Sequence, residues 1–329
     1  MAKPQNEDRL VGLPAIKTAR EDRNRGKFSR MTPSLALFVA LGVIAVLMVY
    51  HYVTQKSLDA DKTALLAKQR AAVATVGATW FPLRDRLEGI VLDSARSFPD
   101  EDVIAESHLD FRAMPGIYLR MRVADAKDAA GVRAAALESV KDAFCGCLLR
   151  EPNEAASRGD LDAGGAPDQP WNLRQAYAST RILTDEWANE VKASDDDLRL
   201  RVFKQQYDKA ATEEIPQSIE IMKRARFFLL VLDEDAPEAK QKMDGGVITE
   251  DVLQTVVHDA RIRIVNMETW QDIARLKRTG RGELIPVGEH RAPEDSETHD
   301  AMTRQVQNCS LGMQVSQALG FDADRAAPR

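Results

Sequence analysis

LALFVALGVIAVLMVY, Leu35 to Tyr50, contains no charged residue. The uncharged stretch extends from Met31 to Val53, 23 residues in all. As a helix it rises about 34 Å, enough to cross a hydrocarbon core of about 30 Å. Water cannot satisfy backbone amides in lipid, so a helix is the economical conformation for one isolated span. Thr32-Pro33 suits a helix start, and Tyr50 and Tyr52 fall where an aromatic belt would lie. A cleaved signal peptide is the alternative. Its apolar region would be about 7–15 residues, and a small-x-small site would follow. The chain continues instead as Tyr50-His51-Tyr52-Val53-Thr54-Gln55-Lys56.

The flanks of this stretch differ. Residues 1–30 hold eight basic side chains, Lys3, Arg9, Lys17, Arg20, Arg23, Arg25, Lys27 and Arg30, against four acidic ones. After the span comes Lys56, with Asp59 and Asp61 close behind. The positive-inside rule therefore places the N-terminus in the cytoplasm. With no charge in the span, residues 54–329 keep 37 of the 45 basic and 47 of the 51 acidic residues, a net charge of −10. The expected location is the inner (cytoplasmic) membrane, with an extracytoplasmic C-terminal domain that is periplasmic in a Gram-negative cell. An acidic outer part with no recognition module argues against nucleic acid as a partner.

Five segments follow from this reading: a cytoplasmic tail (1–30), a transmembrane helix (31–53), a juxtamembrane helical stalk (54–98), an extracytoplasmic α+β domain (112–320) and a disordered tail (321–329). In the stalk, Val73, Val76, Trp80, Leu83, Leu87 and Ile90 step by three and four. That is a heptad-like seam about two and a half repeats long. It fits either a helix packed on its own domain or a self-associating stalk that makes a homo-oligomer. Pro82 predicts a kink or a fresh helix start near Phe81.

Beyond the stalk, residues 97–115 read as a linker. Ile117–Val123 alternates like a strand, and Asp128 caps a helix from Ala129 to Asp142. Phe144–Arg150 reads as a second strand, completing a strand–helix–strand unit. A Gly/Pro-interrupted surface loop follows over 151–170, then helices from Trp171 and from Asp195–Asp197, with Pro216 opening a further turn. Phe227–Leu232 is continuously apolar and reads as a strand buried on both faces in the middle of a sheet. Arg261–Met267 alternates again. Residues 268–278 fit its hairpin partner or a helix. Gly280–His299 reads as a polar loop, and Ala301–Leu319 as a helix with Met302, Val306, Cys309 and Met313 on its apolar face. The inferred fold is α+β: a single N-terminal transmembrane helix, a juxtamembrane helix, then a mixed four- to five-stranded sheet covered by helices.

Three cysteines are present, Cys145, Cys147 and Cys309. An odd number in an oxidising compartment leaves one unpaired. A strand would turn Cys145 and Cys147 to one face, from which either can bridge to Cys309. Three buried thiols and a thiol-exchange pair are the competing readings. Motifs for catalysis or cofactors are missing from the sequence: no GxSxG, no Walker spacing, no HExxH. His290 and His299 share a stretch with Glu294, Asp295, Glu297 and Asp300, which reads as a solvated acidic loop rather than a metal site. The carboxylate pairs Glu213/Glu214, Asp233/Asp235 and Glu250/Asp251 read as solvated too. No cofactor, metal ligand or catalytic residue is assigned. The expected function is a non-catalytic, membrane-anchored protein-interaction or assembly domain of a cell-envelope complex, with an envelope or membrane protein as partner. The alternatives are an extracytoplasmic sensor that signals through a partner, and a thiol- or metal-dependent envelope enzyme.

Overall fold

A computed structural model of the chain describes residues 33–105, 111, 114–140, 142–149, 170–243, 246–282 and 296–320. Expectations for the two tails, for most of the 151–170 loop and for His290, Glu294 and Asp295 lie outside the described residues. The chain divides into two units, Met1–Ala64 and Leu65–Arg329.

In the first unit the described element is the start of helix α1, Pro33–Arg96. From Leu37 to Val53 every side chain is exposed, the large apolar ones between 46% and 70%. The residues are apolar all round, so no single stripe faces a core. Among the described residues this is the one helix long and apolar enough to cross a membrane.

The second unit is built on a six-stranded sheet: β1 (Val103–Ile104), β2 (Gly116–Arg122), β3 (Trp171–Asn172), β4 (Phe227–Asp233), β5 (His258–Asn266) and β6 (Asp272–Gly280). The spatial order is β1-β6-β5-β4-β2-β3. β2 runs parallel to β3 and β4, while the pairs β4/β5, β5/β6 and β6/β1 are antiparallel. The sheet is mixed, as expected. The count rises to six because β1 and β3 are two-residue edge strands, defined by a few ladder bonds and too short for a side-chain pattern. β4 is buried at all seven positions and lies between β5 and β2. Residues 268–278 resolve as the turn and most of strand β6 rather than a helix.

Register sets the two faces. Tyr118, Arg120 and Arg122 on β2 align with Leu229, Val231 and Asp233 on β4, and these with Ile264, Ile262 and Ala260 on β5. This face is covered by α3 (Ala143–Leu149) and α10 (Ser296–Ala318). Phe144, Cys145, Leu148, Leu311, Val315 and Leu319 close its core over Leu229, Val231, Ile262 and Ile264.

Four local expectations change here. Phe144–Arg150 is not a strand, because Ala143–Leu149 is α3. The Asp142 carboxylate accepts from Phe144 N–H at 2.9 Å, and the buried positions 144, 145, 148 and 149 recur at helical spacing. Second, the buried side of α10 carries Gln307, Asn308, Leu311, Val315 and Leu319, whereas Met302 and Met313 are exposed. Third, α10 starts at Ser296, so Glu297, His299 and Asp300 are helical rather than loop residues. Fourth, residues 171–192 are not one helix. Strand β3 is followed by α4 (Arg174–Thr180) and α5 (Asp185–Ala193), joined by a tight turn capped by Thr184.

On the opposite face of the sheet, Arg261 and Arg263 of β5 meet the C-terminal part of α1 and α2 (Ala129–Glu138) packs on β2; α4 packs on α2, and α5, α6 (Asp197–Lys209) and α7 (Ile215–Arg224) follow it. Asp128 caps α2 as expected, accepting from Gly131 N–H at 2.8 Å. A π-helical turn, Ala210–Glu214, carries α6 into α7, so Pro216 stands in the first turn of a ten-residue helix rather than opening a short separate turn. In this unit α1 changes character: Leu65, Leu66, Gln69, Trp80, Leu87, Val91 and Ser94 form a buried stripe. Pro82 does not break it. Pro82 and Ala78, four residues back, are both on the exposed side. There the carbonyl left without its amide donor can meet water.

Candidate functional site: a buried arginine–carboxylate cluster

Arg120 occupies an inward position of a strand that is buried throughout, Gly116–Arg122. A guanidinium cannot be left bare in such a place; it must be paired and hydrogen-bonded. Its Nε and Nη2 donate to the two oxygens of Asp233 at 2.6 and 3.0 Å. Its Nη1 donates to Asp142 Oδ2 at 2.6 Å and to Asn308 Oδ1 at 2.9 Å. Each covering helix thus supplies one oxygen: Asp142 at the N-terminus of α3, Asn308 from the middle of α10. The fork–fork pair with Asp233 is the strong bidentate geometry. It forms because Asp233 closes β4, one strand away and on the same face.

A second ring of groups surrounds Asp233. His258, the first residue of β5, places Nε2 3.2 Å from Asp233 Oδ1 and Nδ1 2.9 Å from the Val256 carbonyl. Glu250 opens the short helix α9 (Glu250–Leu253), which follows α8 (Pro237–Lys242). Its Oε1 accepts from Gln254 Nε2 at 2.7 Å and lies 3.5 Å from Arg120 Nε. Gln254 in turn accepts from Asn308 Nδ2 at 2.9 Å, which closes the circuit to α10. Arg122 extends the polar edge by gripping Asp235 with two nitrogens, at 2.8 and 3.0 Å, and donating to the Ile248 carbonyl.

The electrostatics follow from burial against charge. Burial would raise the Asp233 carboxyl, but the Arg120 guanidinium and the bonds from Glu250 and His258 outweigh it and hold Asp233 far below the usual carboxylate range. Glu250 goes the other way: burial and the neighbouring Asp233 charge push its carboxyl well above that range. Asp142 is raised by burial, with Arg120 opposing.

Across the sheet, β5 contributes a second arginine set. Arg261 Nη1 donates to the Ser94 and Ala95 carbonyls at 3.1 and 2.8 Å. Arg263 Nη1 reaches Asp93 at 2.7 Å and Ser94 Oγ at 3.0 Å, while its Nε holds Asp272 at 2.6 Å. Two guanidinium groups therefore sit on the last turn of α1, where helix carbonyls lack partners and the dipole is negative. Arg133 grips the buried Glu88 one turn earlier with two bonds of 2.9 Å. The carboxyl end of α1 is fastened to the sheet and to α2 by charge-assisted bonds.

Of the cysteines, Cys147 and Cys309 form the disulfide, with Cα atoms 5.1 Å apart and 162 residues between them in sequence. Cys145 is buried in the core. The expected common face for Cys145 and Cys147 does not hold, because on a helix positions two apart point about 200° from each other. Of the six seam residues, Trp80 and Leu87 are buried inside the unit and Val73, Val76, Leu83 and Ile90 are half-buried. Trp80 packs edge-on against Tyr177, ring centroids 5.6 Å apart. His299 lies exposed on α10. No group of three or more potential metal ligands occurs among the described residues.

The sequence reading missed Arg120, Asp142, Asp233, Glu250, His258 and Asn308. Asp233 is a fully buried partner and Glu250 a half-buried one, rather than members of solvated pairs. The usable signal was Arg120 and Arg122 at alternate positions in Ile117-Tyr118-Leu119-Arg120-Met121-Arg122, where two charges share the face of Tyr118. The chain matches no known protein family, no curated protein and no solved structure.

Proposed function

We propose that this chain is a single-pass membrane protein of the cell envelope whose folded unit binds or assembles with another envelope protein, without catalysing a reaction. The observation that carries the reading is the uncovered apolar segment Leu37–Val53 of α1, uniformly exposed and flanked on its N-terminal side by eight basic residues. The Cys147–Cys309 bridge supports an oxidising compartment for the folded unit, since cytosolic thiols are kept reduced. A non-catalytic role is favoured because the ionisable groups brought together, Arg120, Asp142, Asp233 and His258, bond to one another. A sensor that signals through a partner is the second reading. It is favoured by the fastening of the α1 carboxyl end to β5, which suits a helix that passes motion along its axis.

The test is crosslinking in intact membranes followed by purification of the full chain in detergent. A reproducible, stoichiometric envelope-protein partner is expected. Turnover of a substrate by the purified chain, abolished by one carboxylate or thiol substitution, would replace the reading with an enzyme.

A further inference from the structure

The side chains of His258, at the start of β5, and Asp233, at the end of β4, are both fully buried. The imidazole has two polar atoms, and each meets a group that only accepts. Nδ1 lies 2.9 Å from the Val256 carbonyl, so it must carry a proton. Nε2 lies 3.2 Å from Asp233 Oδ1. That carboxyl is already gripped by Arg120, whose Nε donates to Oδ2 at 2.6 Å and Nη2 to Oδ1 at 3.0 Å. A carboxyl held on both oxygens by a guanidinium is an anion and has no proton to give. A neutral imidazole has one donor, which the carbonyl takes. Its other nitrogen would then turn a lone pair toward a carboxylate, sealed from water.

The surroundings of the ring offer no way round this. On β6, Gly280 stands opposite His258, and a Cβ there would lie 3.4 Å from both His258 Cε1 and Gln307 Oε1 of α10. Gln307 is uncharged, and its Oε1 accepts from Gly282 N–H. The adjacent Asp259 accepts from Thr279 on the other face of the sheet. The charges that reach the ring are Asp233 of β4 directly and, through it, Arg120 of β2 and Glu250 of α9. Charge balance gives the same answer as the donor count. Around Arg120 stand two anions, Asp233 and Asp142. A neutral His258 leaves this buried group with surplus negative charge, and an imidazolium cancels it. Burial and the Asp233 charge push Glu250 toward its neutral form.

We propose that His258 is a buried imidazolium whose proton ties the start of β5 to the end of β4 and makes the folded unit sensitive to alkaline pH. Losing the proton sets a lone pair against the Asp233 carboxylate, and the fold weakens as a whole. Outside the cytoplasm, where pH follows the medium, the ring would register that pH. This use rests on the envelope location proposed above; the proton itself does not. The sign follows from linkage. The unfolded chain gives up such a proton around the ordinary imidazole value, about 6.5. The advantage is complete below that pH and declines above it, by at most about tenfold in the folding equilibrium per pH unit, until His258 too is neutral.

The test uses the full chain in detergent with His51→Gln, His108→Gln, His290→Gln and His299→Gln, which leaves His258 untouched as the one histidine. Nitrogen NMR of the labelled ring at about pH 7, where free imidazole is mostly neutral, should show both nitrogens protonated, one of them becoming bare as pH rises further. A bare ring nitrogen at about pH 7 overturns the proposal. Urea unfolding from about pH 6 to pH 8 is the second readout, set against the same chain with His258→Gln, whose amide donates to Asp233 and cannot titrate. Glu250 is present in both chains, so its own response to pH cancels. The ratio of the two folding constants, histidine over glutamine, should fall with rising pH by up to about tenfold per unit. A ratio that stays flat or rises overturns the proposal. The NMR result stands alone if the glutamine chain does not fold. Both measurements use purified protein, so an error in the membrane topology would leave them unchanged.

Discussion

The two ends of helix α1 are both rich in apolar residues, yet they are built differently. From Leu37 to Val53 the apolar residues run all round the helix and all are exposed. From Leu65 to Ser94 they form a stripe, with Trp80 and Leu87 fully buried and charged residues between. The first pattern has no single face to offer a core and suits a uniform apolar solvent. The second uses an aqueous boundary to choose which face packs. Hydrophobicity alone does not separate the two; its angular distribution does.

That contrast predicts opposite consequences for similar changes. The largest effect is expected at the buried cluster on which the folded unit closes. Arg120→Ala leaves Asp233 and Asp142 buried without their cation, and about 3–5 kcal/mol should be lost in urea unfolding. Loss below 1 kcal/mol would mean the cluster is hydrated. Trp80→Ala should cost about 3–5 kcal/mol in the same measurement. Leu47→Ala, a similar truncation in the other part of the helix, should leave the unfolding of the 65–329 unit unchanged. Equal effects would erase the contrast.

Opening the Cys147–Cys309 bridge comes next. On chain-entropy grounds a loop of this length is worth about 4–5 kcal/mol, and measured losses for native bridges run about 2–5. Cys147→Ser with Cys309→Ser should lower the denaturant midpoint accordingly, while Cys145→Ser should not act through the bridge. In the apolar segment, Ile44→Arg should add about 2.5–3.5 kcal/mol to membrane insertion and shift the chain toward the carbonate-soluble fraction, with the folded unit intact. The smallest effect is acidic. Asp233 is held below its ordinary value, so its contribution is present above about pH 4 and is lost as pH falls below that. A titration of unfolding free energy should show this fall in the wild type and a shallower one in Asp233→Asn.

The sequence carried some of this plainly and some not at all. The uncharged run, the buried strand at Phe227 and the Asp128 cap are local patterns, readable within a dozen residues, whereas 268–278 fitted the hairpin partner of β5 or a helix equally well. Phe144–Leu149 misled because a six-residue apolar run fits a strand or a buried helix equally. What decided it was Asp142 capping and the packing of α10, where Gly312 allows the α3 backbone to approach closely. The cluster was illegible for a different reason. Arg120, Asp142, Asp233, Glu250, His258 and Asn308 come from six separate places in the chain, and only the register of β2 on β4 on β5 brings them together. The arginines were visible at alternate strand positions, but their partners were not. A bridge from Cys309 to one of the other two was one of three open readings of the cysteines; which partner it took depended on whether 144–150 was helix or strand.

The central claim is that Leu37–Val53 lies in lipid with the folded unit on the far side from the cytoplasm. Proteinase added to spheroplasts tests it most directly, read with one antibody tag after Met1 and another after Arg329. The account predicts loss of the C-terminal tag and survival of a short membrane-bound fragment with its N-terminal tag. Survival of the C-terminal tag in sealed spheroplasts, with digestion only after the membrane is permeabilised, would contradict it.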